Sequence, residues 1–470
     1  MSTLHRFLRS RGVAAASALS VLVGLSLAGA AVSHADDAAP STLKLVGSLT
    51  STELGTPGTP FGDPEGVGVD AGLGQAVFFN GNNGAFSIVD TTTLKVVDHA
   101  NPPFGGVFHG VVDAGEHVAW AGEYLGNQCD SPIAPPTCDT SLVPGAEAAG
   151  PVLPRIGAIR LGVQPHPPAV VYTLPASAAG ASVVAMAPFS PDSTHHLLYV
   201  LVNRLYDSRT VTATGPLHRT MLYELDADAL LAGKADAVVW QHEVSTCASF
   251  AGAPHDFLGI DPAGRFAYFD CRGVLYANQF QLSPGGAVVV DFPQPMPTAS
   301  QEQAGAFKTT FYPAGAPTSA EKSSGDRAHG LLIQAQADGN HNKLYVFDAV
   351  HRAWTGSVPA NAIGDNLWGI AVDPSNGEAY TVGDGHLVTA SQTSALPVRL
   401  GRTPSLELWA STFAHAPMFD PMTGRLFIPA QTLARRDGTV ADGTVLAVYH
   451  DEARYAPFDP TPPDPDALTH

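Results

Sequence analysis

The feature that most limits what this chain can become is a succession of short apolar runs, each closed by Asp, Asn or Gly. Residues 64 to 97 read Pro64-Glu65-Gly66-Val67-Gly68-Val69-Asp70, Gly74-Gln75-Ala76-Val77-Phe78-Phe79-Asn80, Gly84-Ala85-Phe86-Ser87-Ile88-Val89-Asp90 and Leu94-Lys95-Val96-Val97. Runs of this length, rich in Val, Ile and Phe and bounded by turn formers, predict consecutive antiparallel strands joined by tight turns. One such unit cannot bury both of its faces, so it calls for copies of itself. Degenerate copies are present. Trp368-Gly369-Ile370-Ala371-Val372-Asp373-Pro374 leads into Gly377 to Val382, and Met418-Phe419-Asp420-Pro421 leads into Gly424 to Pro429.

An apolar strand ending in Asp-Pro, a Gly turn, a second strand and a third ending in Val-Asp-Thr resembles the YVTN-type β-propeller repeat. The resemblance implies a fold and leaves activity open, because propellers host unrelated functions. Seven strand-initiating runs, near residues 65, 109, 183, 255, 329, 368 and 415, predict an all-β, seven-bladed β-propeller over residues 36–455. The run Leu43 to Leu49 precedes the first full repeat, and the last repeat lacks its outer strand. Pairing Leu43–Leu49 with Val445–Tyr449 would remove both exposed edges. Asp226 to Lys234 is read as a short helical turn.

Outside this array, residues 1–35 carry Arg6, Arg9 and Arg11, an apolar run from Val13 to Val32, and Ser33-His34-Ala35 ahead of Asp36-Asp37. The run is long enough to cross a bilayer. Small residues cluster at its end and acids follow at once, which points to a cleaved signal peptide and a secreted or periplasmic protein. Residues 456–470 form a Pro- and Asp-rich tail with no strand pattern.

Cleavage removes three Arg and no acid, taking the net charge from -19 to -22. So acidic a surface disfavours nucleic acid and anionic membranes as partners. A monomer whose partner is a metal ion or small-molecule ligand is expected. Four cysteines in an exported chain are expected to be oxidised. Cys129 and Cys138 bracket a short Pro-rich loop and pair with each other, leaving Cys247 with Cys271; both bridges read as loop staples.

With the repeats aligned on their first strands, Glu65, His109, His255, His329, Trp368 and His415 each stand just before an apolar run. In a propeller these positions converge on one mouth of the central channel. Neutral imidazoles with a carboxylate are a ligand set for zinc, copper or non-haem iron, so His109, His255, His329, His415 and Glu65 are the candidate metal ligands. Asp256 and Asp326 are candidates for orienting an imidazole through its second nitrogen. No Gly-x-Ser-x-Gly, His-Glu-x-x-His, P-loop or dinucleotide fingerprint occurs, and catalytic residues are not assigned.

A second resemblance bears on function. Cys247, His255, Cys271, Gly273-Val274-Leu275-Tyr276 and Trp368-Gly369-Ile370-Ala371-Val372 are similar to segments of exported seven-bladed propellers that act as zinc metallochaperones. It implies zinc as the first choice of metal and a metal transport system as partner. The chain departs from that family in lacking a His-rich N-terminal segment and in its insertion over about residues 123–154. Two other classes stay open: a metal-dependent enzyme of lactonase, lyase or oxidase type, and a metal-free interaction platform.

Overall fold

The computed structural model describes residues between Lys44 and Tyr449; the longest segments within that range that lie outside the description are 124–152, 204–219, 245–256 and 294–306. The described residues form seven four-stranded antiparallel sheets, together with one two-stranded and one three-stranded sheet. The first six four-stranded sheets follow chain order with no crossover. We call the first-entered strand of each the leading strand: Pro64–Asp70, Val107–Asp113, Ser182–Asp192, Leu258–Ile260, Ser319–Asp326 and Leu367–Asp373.

The seventh sheet joins the two ends of the array. Its leading strand is Met418–Asp420, followed by Arg425–Pro429 and Gly443–Tyr449, and its fourth strand is Lys44–Thr50. Lys44 pairs with Tyr449 and Leu49 with Val445. This is the pairing expected from the orphan run at Leu43–Leu49, and it satisfies backbone groups that an unpartnered edge would leave open.

Leading strands lie beside one another, first to second, second to third, third to fourth, then fifth to sixth, sixth to seventh, and seventh to first. Between the fourth and fifth sheets the contact is made by Phe257 against Gly325 and by the shared cluster of Phe257, Tyr268, Leu332 and Phe347. Glycine on the leading strands lets neighbours approach. A Cβ on Gly110 would lie 2.2 Å from the ring of Phe79 in the first sheet. Phe79 is fully buried there, a burial that stabilises by about 2 kcal/mol. The apolar core is thus a series of face-to-face layers, one for each pair of neighbouring sheets, such as Val77, Phe79, Ala119 and Ile159 between the first and second.

Each leading strand ends at or next to an aspartate: Asp70, Asp113, Asp192, Asp261, Asp326, Asp373 and Asp420. The reason is local. Asp70 Oδ1 accepts the N–H of Leu73 at 2.9 Å, Asp113 that of Gly115 at 3.1 Å, Asp326 that of His329 at 3.2 Å and Asp420 that of Met422 at 3.0 Å. These side chains close the hairpin turn by capping it from the strand end. All seven carboxylates except Asp192 are on buried residues. Four residues past the Asp the chain turns through positive φ, at Gly74, Gly330 and Gly424, and in the second sheet at His117 with φ 54°.

The short helical turn expected at Asp226 to Lys234 is present. A helix spans Ala227–Leu231, capped by Asp226, whose side chain accepts the Ala229 N–H at 2.8 Å. Val274–Leu275 stands apart from the fourth sheet. It pairs with Gln281–Ser283 as a separate hairpin, and Gly286–Asp291 takes the third place.

Candidate functional site

A shared irregularity marks the end of the leading strands opposite the aspartates. In the first sheet Pro64 pairs with Asn80 and Gly66 with Phe79, so Glu65 is an extra residue, a β-bulge. The same slip places Phe108 as the extra residue in the second sheet, Val184 in the third, Glu321 in the fifth and Trp368 in the sixth. A bulge bends its strand and re-aims the side chain, and bulges recur beside binding sites. Except in the third sheet, whose hairpin is longer, the extra residue stands five before the strand-closing aspartate. By the same count in the sequence, Asp256 precedes Asp261 and His415 precedes Asp420; both lie outside the described residues.

This register amends the alignment drawn from sequence. Glu65 and Trp368 hold the equivalent positions expected of them. His109 stands one residue past the bulge, pairs with Gly122, and is buried at 8% exposure. His329 is not before a leading strand. The fifth leading strand is Ser319–Asp326, and His329 lies in the turn that follows it, ahead of the second strand Leu331–Ala337. Its place in the column belongs to Glu321. His255 and His415 lie outside the described residues, as do Cys129, Cys138 and Cys247. Cys271 ends the second strand of the fourth sheet, is buried, and is not a free thiol.

His329 has a different setting. Its Nδ1 lies 2.6 Å from Oδ2 of Asp326, whose side chain is wholly buried, while the imidazole is half exposed. The pairing of Asp326 with an imidazole, expected from sequence, is present, at the aspartate end of the strand. Such pairs recur. His117 Nδ1 lies 2.7 Å from Asp70 of the neighbouring sheet, and His351 Nδ1 lies 2.6 Å from Asp348. His195 meets Asp192, whereas His196 lies between Glu116 at 2.9 Å and Asp228 at 3.0 Å. Both ring nitrogens of His196 thus face carboxylate oxygens.

Burial sets the main electrostatic departures. It pushes the carboxyl of Asp113 up, with Glu116 adding repulsion, and pushes Asp420 and Glu224 up as well. Glu224 accepts the hydroxyl of Tyr199 at 2.5 Å. Glu123, at the end of the second strand beside Val107, is held by Arg155 Nε at 2.8 Å and Nη2 at 2.5 Å. Sequence reading missed this partly buried pair, because Arg155 follows the long insertion and nothing in its own run marks a partner.

Among the described residues no three His, Cys, Asp or Glu side chains are grouped closely enough to hold a metal ion. Of the five candidate ligands only His109 and His329 have described side chains, and the two lie toward opposite ends of their leading strands. No protein-family model matches the chain, and no curated protein matches it.

Proposed function

We propose that the chain is an exported seven-bladed β-propeller of YVTN-repeat type that binds a divalent transition metal, zinc first, at the bulge-end mouth. Seven four-stranded sheets, with the first and last strands of the array paired, support the ring. The observation that carries the metal reading is the shared register of Glu65, Glu321 and Trp368, with His109 buried one residue beyond it. In this reading the ligands come from His109, Glu65, Glu321, His415 and the His255-Asp256 pair, and His329 is not among them. Binding, with a metal transport system as partner, is favoured over turnover, since the sequence offers no partner base beyond Glu65.

Rigid strands from separate sheets can hold such donors within coordination distance without reorganising on binding. Elemental analysis of the exported protein beginning at Asp36, followed by competition titration, tests the reading. About one equivalent of metal is expected per chain. Glu65→Gln, His109→Ala, Glu321→Gln and His415→Ala should each weaken affinity by about tenfold or more, whereas His329→Ala should leave it unchanged. A protein that neither carries nor takes up metal overturns it.

A further inference from the structure

We propose a second site, independent of the metal reading, in which Arg327 and Tyr268 bind a small carboxylate anion where the third, fourth and fifth sheets meet. Arg327 follows Asp326 at the end of the fifth leading strand, and its side chain reaches across two sheets. Its Nε donates to the carbonyl of Leu258 at 3.2 Å and its Nη2 to that of Met186 at 3.5 Å, each on another sheet's leading strand. The guanidinium lies 5.3 Å from the centre of the Phe257 ring. These contacts use two of five N–H donors and bring no negative charge.

The acids nearby are already taken. Asp326 is bound by His329, Asp261 by Arg265 through Nε at 2.7 Å, and Asp348 by His351. A partly buried guanidinium facing only carbonyls and a ring is costly, because its charge has left water without a counter-ion. Burial accordingly lowers the pKa of Arg327.

Tyr268 supplies the second donor. Its hydroxyl is buried with no hydrogen-bond partner, a deficit that costs about 1–3 kcal/mol. The ring lies across Gly259, where a Cβ would come within 2.6 Å of the hydroxyl oxygen. Gly259 follows Leu258, the residue that receives Arg327 Nε. The orphaned O–H and the Arg327 guanidinium thus lie against adjacent residues, Gly259 and Leu258, of the fourth leading strand. The charge of Arg327 also acts on Tyr268, opposing the rise in its pKa caused by burial and, to a lesser extent, by the carboxylates of Asp326, Asp261 and Asp348. One cation and one neutral donor suit a planar monoanion with two acceptor oxygens, hence a carboxylate.

Saturation-transfer NMR with sodium formate as the probe tests this on the full mature chain. The wild type should show saturable binding that acetate displaces. Tyr268→Phe removes only the hydroxyl and should weaken formate by about tenfold. Arg327→Met should abolish binding, and Arg327→Lys, which keeps the charge without the fork, should weaken it if the Met variant does not fold. No saturable signal in the wild type overturns the site, as does unchanged binding in both Tyr268→Phe and Arg327→Lys. Chloride displacing formate more tightly than acetate does would overturn the carboxylate assignment.

Discussion

His117 Nδ1 sits 2.7 Å from Oδ2 of Asp70, across the junction of the first two sheets, on a residue held at positive φ. The equivalent turn position elsewhere is Gly74, Gly330 or Gly424. A non-glycine there costs about 1 kcal/mol, and the contact to Asp70 is what the histidine returns. His117→Ala keeps the backbone penalty and loses the contact, whereas His117→Gly loses the contact and relieves the penalty. The Gly variant should be the more stable of the two by about 1 kcal/mol, the reverse of the usual order in a strand. Asp70→Ala, which also strands the Leu73 N–H, should cost about 3 kcal/mol. Urea midpoints of the three variants check both statements.

Close approach of sheets makes a second expectation. Gly110→Ala forces a Cβ against the ring of Phe79 and should destabilise by about 2 kcal/mol through overpacking. Gly233→Ala, which meets no atom within 4 Å but has φ 69°, isolates the backbone cost of such a change. Thermal unfolding of the pair separates steric from conformational loss.

The buried acids give stability a pH dependence of definite sign. Burial raises Glu224 above its ordinary 4.5, so between that value and the raised one the folded chain binds more protons than the unfolded chain. This contribution is fully present below the ordinary value and is lost as pH rises through the folded one. Glu224→Gln keeps an acceptor for Tyr199 and removes the titration. Measured by urea unfolding, the stability of the variant relative to wild type should rise between pH 4 and 7; a flat difference contradicts it.

Non-reducing peptide mapping should recover Cys129 joined to Cys138 and Cys247 joined to Cys271. A cross-link between the two groups would refute the pairing. The second bridge is expected to contribute about 3 kcal/mol by the chain-entropy argument.

Much of the fold was legible because strand, Asp turn and Gly form a repeat, and because Leu43–Leu49 had no other strand to pair with. The fifth sheet was misaligned for a physical reason. Its leading strand, Ser-Ala-Glu-Lys-Ser-Ser-Gly-Asp, carries no Val or Ile, whereas the next strand begins Leu331-Leu332-Ile333 and looks like the start of a repeat. Polar residues are tolerated there because Gly325 lets Phe257 approach closely and Ser323 is small enough to be buried, so no wide apolar face is needed. His109 was displaced by one residue because a bulge adds a position that alternation alone does not reveal. Arg327 was invisible from sequence, since its contacts lie 69 and 141 residues away.

The central claim, a divalent metal at the bulge-end mouth, is tested most directly by anomalous diffraction at the zinc edge from crystals of the zinc-loaded mature protein. One strong peak is expected beside the His109 imidazole, with oxygen from Glu65 or Glu321 about 2 Å from the metal. A peak only at the aspartate-end histidines, such as His329 or His117, or no peak at full loading, would contradict the claim.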